Sequence, residues 1–142
     1  MNSNSKIEIM QPGKKRTLLK SSNNDIPDWF KWAMSNAPSS HFVSVKDCQI
    51  HYLLWDDPDE KKRSGSILFV HGGAAHSHWW SFLAPFFRKN YKVAALDLSG
   101  MGDSGRREEY NAGLRAEEIY SVIKDANLGR LTYVVGHSFG GL

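Results

Sequence analysis

The sequence predicts an α/β domain with a mostly parallel sheet flanked by helices, and three observations carry that prediction. Residues 66–70, 92–98 and 131–135 are nearly continuous apolar runs rather than alternating ones, the pattern of strands covered on both faces. Between the last two runs, Asn111 can cap a helix through about Ala126, with Ile119, Val122, Ile123 and Ala126 on one side and Gly129 past its end. Strands that alternate with helices in this way stack as layers around a parallel core.

The elements follow in chain order. Residues 1–25 are rich in Ser, Asn and Lys without periodicity and read as a flexible polar segment, leaving 26–142 as the domain. From Pro27, the pattern Trp29, Trp32, Ala33 sets three apolar groups on one helical face, and Pro38 ends that helix. Residues 41–46 and 49–55 are short β-type runs around Asp47 and Cys48, which predicts a hairpin. The charged stretch 56–65 is an exposed loop. Residues 79–89 are helical in pattern but hold Pro85, so two short turns are expected there.

Composition excludes several classes. With 41% hydrophobic residues in a chain of 142, a core is affordable, and the formal charge of +3 is modest. The basic clusters at 14–16, 61–63 and 106–107 are short and lack interleaved aromatics, so no nucleic-acid partner is expected. Cys48 is the only cysteine, which excludes an internal disulfide framework and a cysteine-rich metal site. No stretch reaches the ~18 apolar residues of a membrane span, and the polar start has no signal-peptide core. A cytoplasmic protein is the default expectation, and oligomeric state is not legible.

The chemistry is concentrated in three loops, each after a strand. The last holds Gly136-His-Ser138-Phe-Gly140. At a sharp strand-to-helix turn a nucleophile sits in strained backbone, and the residues two before and two after it converge, so glycine is needed at both. Ser138 is therefore the candidate nucleophile, with Gly136 and Gly140 as steric supports. A helix starting at Phe139 aims free N–H groups at a substrate oxygen, which makes Phe139 N–H one oxyanion donor.

The second loop, His71-Gly72-Gly73-Ala74, can bring amides close to a ligand; Gly73 is the first choice for the other donor and Ala74 the alternative. The third, Asp97 to Gly105, contains Gly100-x-Gly102-x-x-Gly105, formally a dinucleotide-binding fingerprint. A nucleotide site calls for an uninterrupted helix after the glycines and an acid ending the next strand. Here Asn111 and Gly113 intervene, and the next strand runs into Gly136-His137-Ser138. His76 and His78 are spaced i,i+2 without a local carboxylate or cysteine, so no metal site is expected.

These loops in this order resemble the α/β-hydrolase superfamily, in its serine-nucleophile branch, over residues 41–142. The resemblance implies an incomplete α/β-hydrolase domain cut after the nucleophile elbow, with the acid and histidine downstream of Leu142. It makes Asp97 and Ser104 structural supports of a loop beside the site. It implies a serine hydrolase of ester or related acyl bonds that needs no cofactor and takes a small-molecule substrate with a carbonyl group. Ser138 speaks against the dehalogenase and epoxide hydrolase branches, which carry aspartate there. The alternative is a non-catalytic scaffold of the same fold that binds ligands. The 142 residues alone are expected to be inactive, with an unpaired edge at the strand ending near Val135.

Overall fold

A computed structural model describes residues 26–56 and 63–142, together with the backbone of 6–8 and 18–20. The rest of 1–25, and most of the loop expected at 56–65, lie outside the described residues.

The chain divides into two units, Met1–Trp32 and Ala33–Leu142. In the first, the strands β1 (Lys6–Glu8) and β2 (Leu18–Lys20) pair antiparallel, within the stretch read from sequence as a flexible polar segment. Helix α1 (Asp28–Ser35) crosses the boundary between units. Of its three apolar positions only Ala33 is buried, whereas Trp29 and Trp32 are about half exposed.

The second unit is a five-stranded sheet in the order β3-β4-β6-β5-β7. Strands β3 (Ser39–Val45) and β4 (Cys48–Trp55) form an antiparallel hairpin, turned by Lys46 and Asp47 with Lys46 at φ 55. β4 pairs antiparallel with β6 (Tyr91–Leu96), and β5 (Gly65–Val70) pairs parallel with both β6 and β7 (Thr132–Gly136). Four strands thus run one way and β4 alone is reversed, so the sheet is mixed.

The apolar runs sort into two cores because side chains alternate across a strand. Leu68, Val70, Ala94 and Leu96 face one side with Ile50 and Tyr52, beneath Val122, Ala126 and Leu128. Ile67, Phe69, Val93 and Ala95 face the other, beneath Trp80 and Ala84. Each fully buried Val or Leu in these layers contributes roughly 1.5–3 kcal/mol of transfer free energy.

Helix α2 (Ala112–Asp125) covers the first face, and its Asn111 cap accepts the Leu114 N–H at 2.9 Å. On the second face Pro85 limits the chain to two short 3-10 turns, Ser77–Trp80 and Ala84–Phe86. β7 is the exception among the apolar strands. It stands at the edge of the sheet, and Tyr133, Val134 and Val135 are 51%, 49% and 40% exposed.

Candidate active site

The parallel strands β5, β6 and β7 end side by side, which brings together the three loops that leave them. After β7 the chain turns into a 3-10 turn, Ser138–Gly141, and Ser138 takes φ 51, a left-handed conformation uncommon for a residue with a side chain. The flanking glycines are sterically required. A Cβ on Gly136 would stand 2.0 Å from the Gly140 carbonyl oxygen, and one on Gly140 2.5 Å from that of His71.

The loop after β5 lies against this elbow. His137 N–H donates to the Val70 carbonyl at 3.0 Å, and a Cβ on Gly72 would come within 3.4 Å of the Ser138 Cβ. A Cβ on Gly73 would stand 3.8 Å from the Cβ of Phe139, so the two residues named as oxyanion donors are neighbours. Ala75 N–H closes a turn on the Gly72 carbonyl at 3.2 Å, with Ala74 at φ 57 inside it. A cavity of about 250 Å³ opens here, lined by Gly72, Gly73, Ala74, Trp79, His137 and Ser138 among others.

The aromatic residues divide. Trp79 lines that cavity, with its ring 6.3 Å from the His137 ring and nearly parallel to it. His137 therefore faces Trp79 and Gly72. Trp80 stacks on Phe69 at 4.5 Å inside the core. Phe139 borders a separate cavity of about 440 Å³ shared with Val70, Leu98, Tyr110 and Arg115.

Asp97 and Ser104 organise the third loop. Asp97 is 1% exposed and accepts hydrogen bonds from His51 Nδ1 at 2.8 Å, Asp103 N–H at 2.9 Å and Ser77 N–H. Burial pushes its carboxyl pKa up, but these bonds outweigh it and bring the value down to about 2. Ser104 Oγ donates to the Asp97 carbonyl at 2.6 Å and accepts from His51 N–H at 2.8 Å. The interior of the glycine loop is filled by this carboxylate, since a Cβ on Gly102 would lie 2.2 Å from Asp97 Oδ2.

Sequence reasoning missed two features. One is His71, fully buried, whose Nδ1–H donates to the Gly72 carbonyl at 2.7 Å while Nε2 accepts the Leu98 N–H at 3.1 Å. That pattern fixes a neutral tautomer. Desolvation holds its pKa below the ordinary histidine value, against the opposing pull of the Gly72 carbonyl and Asp97. The other is the chain of Ser40 Oγ, His51 and Asp97, with Ser40 Oγ 2.9 Å from His51 Nε2. Strand alternation around 49–55 is the only sequence signal for it.

His51, Asp97 and Asp103 also bring one potential ligand atom each within 4.8 Å of one another. The hydrogen bonds to Asp97 account for that clustering without an ion. His76 and His78 have ring centroids 5.8 Å apart, and His78 Nδ1 lies 3.3 Å from Ser81 Oγ.

Comparison with known proteins places this geometry. The family model described as alpha/beta hydrolase fold matches residues 65–142. Epoxide hydrolase 3 of Xenopus tropicalis is 29% identical over 113 residues, covering 75% of this chain and 29% of that protein. The 2-hydroxy-6-oxo-6-(2'-aminophenyl)hexa-2,4-dienoic acid hydrolase of Metapseudomonas resinovorans is 27% identical over 104 residues, or 70% of this chain and 34% of that one. Among solved structures, a bacterial membrane phospholipase A superposes with TM-score 0.63 at 31% identity, covering 80% of this chain and 34% of its own. The chain thus spans about a third of the length of the curated relatives it matches. No helix among the described residues is long and apolar enough to cross a membrane.

Proposed function

Since the chain belongs to the alpha/beta hydrolase fold family, we propose that the protein carrying it is a serine hydrolase of ester or related acyl bonds, with Ser138 as nucleophile. The observation that carries this reading is the left-handed Ser138 at the end of β7, facing the Gly72-Gly73 turn across a small cavity. A serine presented in this way is a nucleophile waiting for a base.

In the proposed cycle Ser138 Oγ attacks a substrate carbonyl carbon and gives its proton to a histidine supplied downstream of this segment. His71 does not serve as that base, because both of its ring nitrogens are engaged within the scaffold. The carbonyl oxygen, now negative, is held by the N–H groups of Phe139 and Gly73, with Ala74 N–H as the alternative second donor. Collapse expels the alcohol or other leaving group with the proton from the histidine. Water, deprotonated by the same histidine, then attacks the acyl-enzyme and frees Ser138. The substrate is a small molecule with a carbonyl group.

A fluorophosphonate probe applied to the whole protein tests the reading. Covalent labelling at Ser138, abolished in Ser138→Ala, is the expected result. A folded protein that does not react is instead a ligand-binding scaffold.

A further inference from the structure

The side chain of Arg115 sits where three structural features meet. Its Nη1 donates to the Ser99 carbonyl at 2.8 Å, to Ser99 Oγ at 2.9 Å and to Glu118 Oε2 at 3.2 Å. Its guanidinium carbon lies 5.0 Å from the Tyr110 ring centroid and 6.0 Å from that of Phe139. Phe139 directly follows the nucleophile, and its N–H is the proposed oxyanion donor.

Glu118 anchors this guanidinium. It is fully buried on α2, accepts Ser99 N–H at 3.1 Å and Ser99 Oγ–H at 2.5 Å, and takes Arg107 Nε at 3.1 Å. Arg107 in turn reaches the β3–β4 turn, at the Val45 carbonyl and Asp47, both at 2.8 Å. A buried carboxylate held by two arginines and a serine resists displacement, because removing any partner leaves charge unpaired. Arg115 is therefore a fixed cation, anchored on α2 and the loop after β6, with one ring of the elbow in reach.

We infer that Arg115 is a positioning residue for the nucleophile elbow. Its guanidinium, locked by Glu118 and Ser99, seats the Phe139 ring and so fixes the direction of the Phe139 N–H. Arg115 acts through Phe139 and does not touch the reacting atoms. The inference rests on the proposed hydrolase reading and adds to it a residue 23 positions upstream of Ser138.

The test is the kinetics of fluorophosphonate labelling of the whole protein, resolved into probe binding (KI) and bond formation (kinact), with thermal unfolding measured beside it. Arg115→Met removes the charge and the fixed donors while keeping an apolar stem. It is expected to lower kinact at least tenfold with KI within twofold, and Arg115→Lys to recover part of the loss. Where Arg115→Met does not fold, Arg115→Lys is read against the parent: a several-fold fall in kinact at constant KI supports the role, and an unchanged kinact overturns it. A folded Arg115→Met with the parental kinact also overturns it, as does a loss that Arg115→Lys leaves unrestored. A parent protein that does not label at Ser138 refutes the hydrolase reading, and with it this inference, which makes the two failures distinguishable.

Discussion

Asp97 and His51 meet at 2.8 Å where both side chains are almost completely buried, joining β4 to the loop that leaves β6. The same carboxylate holds the amides of Ser77 and Asp103, so one side chain sets the path of two loops near the elbow.

Asp97 makes stability depend on acid. Its pKa in the folded chain, about 2, lies below the ordinary 3.8, so the folded state binds the proton less readily than the unfolded one. The stabilisation is complete above about pH 4 and is lost as pH falls toward 2, amounting to roughly 2 kcal/mol. Asp97→Asn should remove this slope and cost about 2–3 kcal/mol at neutral pH, because an amide cannot accept from all the donors aimed at it. Urea unfolding of both proteins between pH 5 and 2 measures the difference.

His71 acts in a higher window. Its depressed pKa means that the unfolded chain takes up a proton first, so stability falls as pH drops below about 6.5. His71→Ala should abolish that part of the profile and, by orphaning the Leu98 N–H, cost about 1–3 kcal/mol. The same denaturant titration, carried from pH 8 to 5, reads it.

Gly102 and Gly129 provide a matched pair, at φ 54 and φ 80. A methyl on Gly102 collides with the Asp97 carboxylate, whereas one on Gly129 meets nothing within 4 Å. Gly129→Ala should cost about 1 kcal/mol of backbone strain. Gly102→Ala should cost clearly more, and a larger drop in Tm for Gly129→Ala would contradict the account.

At the elbow, Gly136→Ala and Gly140→Ala each place a methyl against backbone oxygen at 2.5 Å or less. Labelling of Ser138 should fall at least tenfold in both, because the bend has to open to accommodate the methyl. Retained labelling in either would show that the bend tolerates a side chain.

How much of this was legible in the sequence varies by element. Helix α2 was legible nearly to the residue, because Asn111 caps it and Gly129, at positive φ in the structure, lies past its end. The two turns around Pro85 followed from proline's missing N–H. The hairpin strand began at Cys48, since a two-residue turn at Lys46 and Asp47 suffices.

What the sequence concealed is long-range pairing. Nothing local marks His51 as a partner of Asp97, 46 positions away, or Arg107 as a partner of Val45 and Asp47. Burial was also misleading at Trp29 and Trp32, where an apolar helical face is half exposed, whereas the open edge at β7 was expected. In the candidate site the glycine spacing singled out Gly136, Ser138 and Gly140 as candidates, but His71 passed as part of a turn, because its double clamp is visible only in three dimensions.

The central claim is that amides from two separate loops converge on an oxygen bonded next to Ser138. A crystal structure of the fluorophosphonate adduct measures this directly. The account predicts a phosphoryl oxygen about 2.7–3.1 Å from the Phe139 N–H nitrogen and from that of Gly73 or Ala74. An adduct whose phosphoryl oxygen points to solvent, away from both loops, would contradict it.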